Sequence, residues 1–354
     1  MSLTSEAGGL RARLAHAFEP CRKPGTAELC QLLEEMLGGD VSPEQSIDLE
    51  RLKQEVYRLR IGGEGGHSLV LKLLKPAVAQ TDRLVAERWL PAVGLGDRCP
   101  RLLGAAAPRD GCWVWHVYED LGHANLALRC EPGYLGAAID LVVELHTRAA
   151  VHPLLPEVRW RARHHGAHFF TSSLCDAITA LEALASCRRE VPVEFPASRT
   201  RLLHGLRKLL EDAPRRVRVM EEVGGPDTLL HGDLWPKNVI VTVTDEGPRA
   251  RLIDWDHVGA GPFSYDLSTF LYRSSPGERP WILQRYRETI ERAGWRLPRN
   301  DDLNLLLHTA ESARCVHCVL FDAMAILDGG AEWAIAELMD YEGWLAALRP
   351  PLAD

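Results

Sequence analysis

The sequence predicts an α+β fold of two lobes, a small one built on an antiparallel sheet and a larger helical one. Three observations lead there. The 354 residues exceed what one compact core usually holds. Apolar residues recur with a period of two between Ile47 and Leu73, and with helical spacing after Gly122. The order sheet, helix, sheet, helices also lacks the strict strand-helix alternation of a parallel doubly wound fold.

Residues 1–45 read as a helical lead-in, with Leu29, Leu32, Leu33 and Met36 at helical spacing before Gly38 and Gly39. Residues 46–121 form the small lobe. Ile47 and Leu49 alternate, as do Tyr57, Leu59 and Ile61, and then Leu69, Leu71 and Leu73, which predicts three antiparallel strands. Thr81 or Asp82 is positioned to cap a helix whose face carries Leu84, Val85, Arg88 and Trp89. Strands follow at 101–105 and 113–118. Residues 122–354 form the large lobe. A helix is predicted over 134–146, a hairpin over 239–243 and 250–253 turning at Asp245-Glu246-Gly247, and helices from Pro280 onward, with Leu303, Leu306, Leu307 and Ala310 on one face.

Charge excludes several function classes. A formal charge of -8 and a pI near 6.0 are unsuited to a phosphate-backbone partner, so neither DNA nor RNA is expected. The opening segment lacks a signal-peptide core and no later run reaches bilayer length, which predicts a cytoplasmic protein with no membrane partner. Nine cysteines in a chain large enough to build its own core suit reduced thiols better than a disulfide framework.

The strongest chemical signal is His231-Gly232-Asp233-Leu234-Trp235-Pro236-Lys237-Asn238, followed by an apolar strand. Its spacing resembles a kinase catalytic loop, in which an Asp faces the attacking hydroxyl and an Asn five residues later holds a metal ion. One hairpin later, Leu252-Ile253-Asp254-Trp255-Asp256 places Asp254 at a strand end, where a second metal ligand would stand. Oxygen donors of this kind, few in number, suit Mg²⁺. Upstream, Lys72 sits in the apolar run Leu69 to Leu74, a costly place for an unpaired ammonium, and Glu87 on the following helix is the expected partner. The run Gly62 to Gly66 stands too close to Lys72 for a phosphate loop and reads as a turn between the second and third strands. The phosphate loop falls instead near Leu52 to Glu55. That stretch has no glycine, and Lys53 and Gln54 would then act by side chain.

Lys72, Glu87, the loop from His231 to Asn238 and the stretch from Leu252 to Ser268 together resemble the aminoglycoside phosphotransferase and choline kinase family, from about Ile47 to Leu271. The resemblance implies a protein-kinase-like two-lobed fold, with Mg²⁺-ATP between the lobes and a γ-phosphoryl transfer to a hydroxyl of a small molecule such as an aminoglycoside, a sugar or an amino alcohol. It further implies Asp233 as catalytic base, Asn238 and Asp254 as Mg²⁺ ligands with Asp256 as a secondary one, and Lys72 as the phosphate-binding lysine. Adenine would bond the backbone of Glu119 and Leu121. Asp266 would brace the catalytic loop.

Other signals carry less. Cys315-Val316-His317-Cys318 lacks a second pair for zinc, and His164 and His168 lack an acidic neighbour in sequence. Residues 276–354 hold thirteen acidic side chains against eight Arg, a balance that favours a cationic acceptor such as an aminosugar. The glycine-free phosphate loop also admits a second function, a catalytically silent nucleotide-binding regulator.

Overall fold

The structure is a computed structural model that describes residues 9–63, 65–186 and 191–352. The first eight residues of the opening segment and Glu64 of the glycine run lie outside the described residues. The chain divides into two compact units: residues 1–124 with 242–256, and residues 125–241 with 257–354. Among the described residues no helix is long and apolar enough to cross a membrane, and every cysteine is a free thiol.

The first unit opens with α1 (Leu10–Phe18) and α2 (Thr26–Leu37). Five strands follow, β1 (Ile47–Lys53), β2 (Val56–Ile61), β3 (His67–Leu74), β4 (Leu102–Ala106) and β5 (Val114–Glu119), in the antiparallel order β1-β2-β3-β5-β4. The period of two sorts this sheet. Tyr57, Leu59, Ile61, Leu69, Leu71, Leu73, Trp115 and Val117 share one buried face with Leu14, Phe18, Leu29 and Leu33 of the leading helices. The expected lead-in is thus part of this core. Alternation sends Lys72, His116 and Tyr118 to the opposite face, with Lys72 directly across the ladder from His116.

The helix expected to start at Thr81 or Asp82 starts earlier. α3 spans Pro76–Leu84 and runs through one wider π turn, Val85–Trp89, into α4 (Leu90–Ala92). Pro76 serves the first turn, where a missing N–H costs nothing. Asp82 is therefore buried inside the helix rather than at its cap. Residues 242–256 join this unit through strand Gly247–Leu252: the Leu252 N–H donates to the Arg98 carbonyl at 2.8 Å, Arg251 meets Glu119 at 3.4 Å, and Arg249 pairs with Asp97.

The second unit is helical around α11 (Asn300–Gly329), which packs against α7 (Ala167–Ala183), α8 (Phe195–Val223), α9 (Ser264–Arg273) and α12 (Trp333–Ala347). Leu306, Leu307 and Ala310 lie on the buried face of α11, as their spacing predicts. α5 (Pro132–Ala150) packs against α10 (Arg279–Arg292), and α6 is Leu155–Arg161. A short sheet orders β6 (Arg163–His164), β10 (Gly259–Pro262) and β7 (Asp227–Leu230), while β8 (Val239–Thr244) pairs with β9 (Gly247–Leu252). β7 runs antiparallel to β10 and delivers the chain to His231.

Trp115 ties the leading helices to the sheet. It is fully buried, meets Phe18 edge-on at 6.1 Å, and donates its Nε1–H to the Pro24 carbonyl at 2.8 Å. Trp115→Ala is expected to cost about 3–5 kcal/mol, read from urea unfolding, and Trp115→Phe less, because much of the ring volume remains. A loss near zero for the alanine variant would show that the helices stand apart from the sheet.

Candidate active site

In the first unit a buried ion cluster forms around Lys72. Its Nζ donates to Asp254 Oδ1 at 2.8 Å and Asp256 Oδ1 at 3.1 Å, and stands 3.8 Å from Asp82 Oδ2. Burial works against the ammonium charge, but Asp82, Asp254 and Asp256 hold Lys72 protonated well above its usual range. Lys53, from the glycine-free turn between β1 and β2, reaches the other oxygen of Asp254. Against its own burial, Asp254 is kept ionised, well below the usual carboxylate range, by Lys72 and Lys53. Its φ of +67° is unusual for a residue with a Cβ, a local strain of the kind that collects at functional sites.

The expected Lys72–Glu87 pair is corrected by this geometry. Glu87 pairs with Arg83 one turn earlier at 2.7 Å and is half exposed. Of the acids on the following helix, the one beside Lys72 is Asp82, on the helix that begins at Pro76. Asp82 accepts from the Tyr118 hydroxyl at 2.7 Å, and that hydroxyl lies 2.9 Å from His116 Nδ1. With its proton given to Asp82, Tyr118 must accept, so the neutral His116 carries its hydrogen on Nδ1. Burial, with Lys72 nearby, lowers His116 to about 4. Burial also pushes Asp82 up, with Lys72 and Tyr118 acting against it.

Glu119 and Leu121 follow at the end of β5. The Glu119 N–H donates to the Arg101 carbonyl at 3.1 Å. Between them lies Asp120, whose side chain is 7% exposed. It takes Arg58 through Nε at 2.7 Å and Nη2 at 3.2 Å, accepts from Ser68, and accepts the Gly122 N–H at 2.9 Å. This bidentate clamp fixes the turn after β5.

In the second unit the loop after β7 is organised by Asp266. That carboxylate is fully buried on α9 and accepts the His231 N–H at 2.7 Å and the Gly232 N–H at 2.8 Å. His146 stands 3.4 Å away and is itself held by Tyr286 at 2.9 Å. Burial alone would raise Asp266, but the His146 contact and the peptide N–H groups lower it. Gly232 has φ +79°, and a Cβ there would lie 1.8 Å from the His257 carbonyl oxygen, so only glycine fits.

Asp233 and Asn238 are brought together within this loop. Asn238 Nδ2 donates to the Asp233 carbonyl at 2.9 Å and lies 3.3 Å from Asp233 Oδ2. The amide is thereby oriented, with Oδ1 left as a hard oxygen donor. Sequence reasoning missed Arg314, which arrives from α11. It pairs with Asp233 Oδ1, donates to the Gly232 carbonyl at 3.3 Å, and faces the Trp235 ring at 5.7 Å. Burial opposes its charge, but Asp233 keeps it protonated above its usual range. The excess of acids over arginines in the C-terminal stretch therefore does not describe the surroundings of Asp233, whose nearest charged neighbour is a cation.

Each unit by itself carries oxygen donors of the kind Mg²⁺ takes: Asp254 and Asp256 in the first, where Lys72 and Lys53 contact Asp254, and Asn238 Oδ1 in the second. Among the described residues no three His, Cys, Asp or Glu side chains converge as a metal cage. One or two protein oxygens completed by phosphates and waters is the usual manner of binding this ion.

A family model described as a phosphotransferase enzyme family matches residues 50–299. The chain belongs to the phosphotransferase enzyme family. No curated protein sequence matches it at a significant level. Among solved structures, this phosphotransferase is similar to a Plasmodium vivax ethanolamine kinase at 12% identity and a TM-score of 0.57, covering 98% of this chain and 96% of that one. A choline/ethanolamine kinase family protein of Mesorhizobium loti matches at 15% identity and 0.52, over 96% and 94% of the two chains. An aminoglycoside phosphotransferase of Streptomyces rimosus, in complex with ADP and streptomycin, matches at 16% and 0.50, over 81% and 98%. At such identities the likeness concerns the fold, an antiparallel N-terminal sheet with a helical C-terminal region of the kinase-like type.

The Lys72 assignment is testable by stability. Lys72→Ala is expected to cost about 3–5 kcal/mol, since it leaves buried carboxylates without their cation. A double-mutant cycle of Lys72→Ala with Asp82→Ala should show strong coupling, and the same cycle with Glu87→Ala none. Coupling to Glu87 in place of Asp82 would reverse the correction. Acid sensitivity gives a further readout. The unfolded chain takes up the His116 proton near the ordinary histidine value of 6.5, the folded chain only at about 4. The stability that neutral His116 supports is thus present above pH 6.5 and lost as pH falls toward 4. His116→Asn should flatten the fall of the unfolding midpoint over that window, and an unchanged slope would contradict the burial argument.

Proposed function

We propose that this phosphotransferase is a kinase that uses Mg²⁺-ATP and phosphorylates a hydroxyl group of a small molecule. The observation that carries the reading is the catalytic-loop geometry, in which Asp266 fixes the peptide groups and Asn238 and Arg314 fix the Asp233 side chain. Asp233 receives the proton of the acceptor hydroxyl. The acceptor oxygen forms its bond to the γ-phosphorus, and the bond from that phosphorus to the β-γ bridging oxygen breaks, releasing ADP. Lys72, held in place by Asp82, contacts the α- and β-phosphates, and the backbone of Glu119 and Leu121 receives adenine. Asn238 and Asp254, with Asp256 in a secondary position, would hold Mg²⁺, which would supply charge neutralisation to the phosphates. Arg314 positions Asp233. Catalysis then rests on placement and charge stabilisation.

A second reading, a silent nucleotide-binding regulator, draws on one observation. Both oxygens of Asp233 already meet neighbours, Arg314 and Asn238. Asp233→Asn separates the two. On the kinase reading it leaves ATP affinity by calorimetry nearly unchanged and lowers turnover, followed as ADP release, by about 10²- to 10⁴-fold. Turnover within a few-fold of the parent in a variant that binds ATP normally would remove Asp233 from the mechanism. A parent that binds ATP but releases no ADP with any acceptor would favour the regulator.

A further inference from the structure

Away from the nucleotide-directed residues, the second unit carries a cavity of about 490 Å³ between α9, the start of α10 and the end of α12. Its wall presents the guanidinium groups of Arg273, Arg279 and Arg349 with the rings of Tyr272 and Trp344, and among the described residues no acidic side chain lines it. Among the described residues only Arg273 of the three has a carboxylate partner, Glu311, which is fully buried. Arg279 Nε donates to the Leu271 carbonyl at 3.0 Å, and Arg349 Nη1 to the Ala346 and Leu348 carbonyls at 2.9 and 2.7 Å. Such bonds aim a guanidinium without neutralising it.

The aromatic rings complete the arrangement. Arg273 lies between Trp235 and Trp344, 5.1 and 5.0 Å from their centroids, and Arg279 lies 5.7 Å from the Tyr272 ring. Stacking covers the faces of a guanidinium and leaves its N–H edges for in-plane acceptors, the geometry suited to carboxylate or phosphate oxygens. The Tyr272 hydroxyl donates to the Arg349 carbonyl at 2.7 Å and holds the end of the chain against the cavity. Arg279 and Arg349 both line this cavity with no carboxylate partner among the described residues, and an anion there would gain charge-assisted hydrogen bonds. The volume suits a small metabolite rather than a bare ion.

We propose that this cavity binds a small organic oxyanion, a carboxylate or phosphate monoester on an apolar body, through the edges of Arg279 and Arg349 with the body against Trp344. Because Arg273 rests on Trp235, two residues after Asp233, the ligand lies on the catalytic-loop side of the unit. The inference does not depend on the chemistry assigned to Asp233.

The test is calorimetric titration of the full chain with phenyl phosphate, phenylacetate and benzylamine. Saturable binding of at least one of the two anions is expected, with none for the amine, and which anion binds tells phosphate from carboxylate. Arg279→Ala and Arg349→Ala should each weaken it by about tenfold or more, and Arg279→Lys, which keeps the charge without the fork, by less. Lys72→Ala should leave it unchanged, which separates this cavity from any phosphate site in the first unit. Unfolding midpoints check each variant, and the lysine variant stands in if an alanine variant fails to fold. No saturable anion binding, affinities unmoved by the arginine variants, or a loss confined to Lys72→Ala would overturn the proposal.

Discussion

The buried carboxylate of Asp266 is the constraint on which the loop from His231 to Asn238 depends. Two consecutive peptide N–H groups converge on its oxygens, so His231 and Gly232 are fixed before Asp233 is placed. A fully buried carboxylate is costly unless its lone pairs are taken, and here the peptide groups and His146 take them. The same demand explains Gly232, whose positive φ lets both N–H groups turn the same way under the His257 carbonyl. Position, rather than an unusual side chain, is what this loop provides.

The first unit answers a parallel problem with opposite charges. One buried ammonium, Lys72, is surrounded by Asp82, Asp254 and Asp256, and Lys53 adds a second cation to Asp254. The cluster sets three carboxylates against two ammonium groups. Tyr118 and His116 extend it through neutral hydrogen bonds, so Asp82 is oriented without a further charge.

Much of this was legible because it is local. The spacing from Asp233 to Asn238, the hairpin to Asp254 and the lysine in an apolar strand are short-range patterns, and the period-two alternation separated Lys72 from the core face. What escaped depends on helix phase and long-range packing. Glu87 suggests itself as the lysine partner because it is a carboxylate on the following helix, but in the structure that helix starts at Pro76, Asp82 stands beside Lys72 and Glu87 pairs with Arg83. Arg314 stands 81 residues from Asp233, on a helix whose periodicity marks its core face but not what its arginine meets. The leading helices read as an appendage because no local signal shows that Phe18 and Trp115 touch.

The activity proposed for this phosphotransferase is phosphoryl transfer to a small hydroxylated acceptor. Its most direct test is mass spectrometry of the low-molecular-weight fraction after incubating the protein with Mg²⁺-ATP and a panel of aminoglycosides, sugars, amino alcohols, nucleosides and hydroxy acids. The account predicts that one compound class gains a single phosphoryl group, with ADP formed in equal amount and no gain when EDTA removes the metal. Bound ATP with no phosphorylated product in any class, under conditions where the protein is folded, would contradict it.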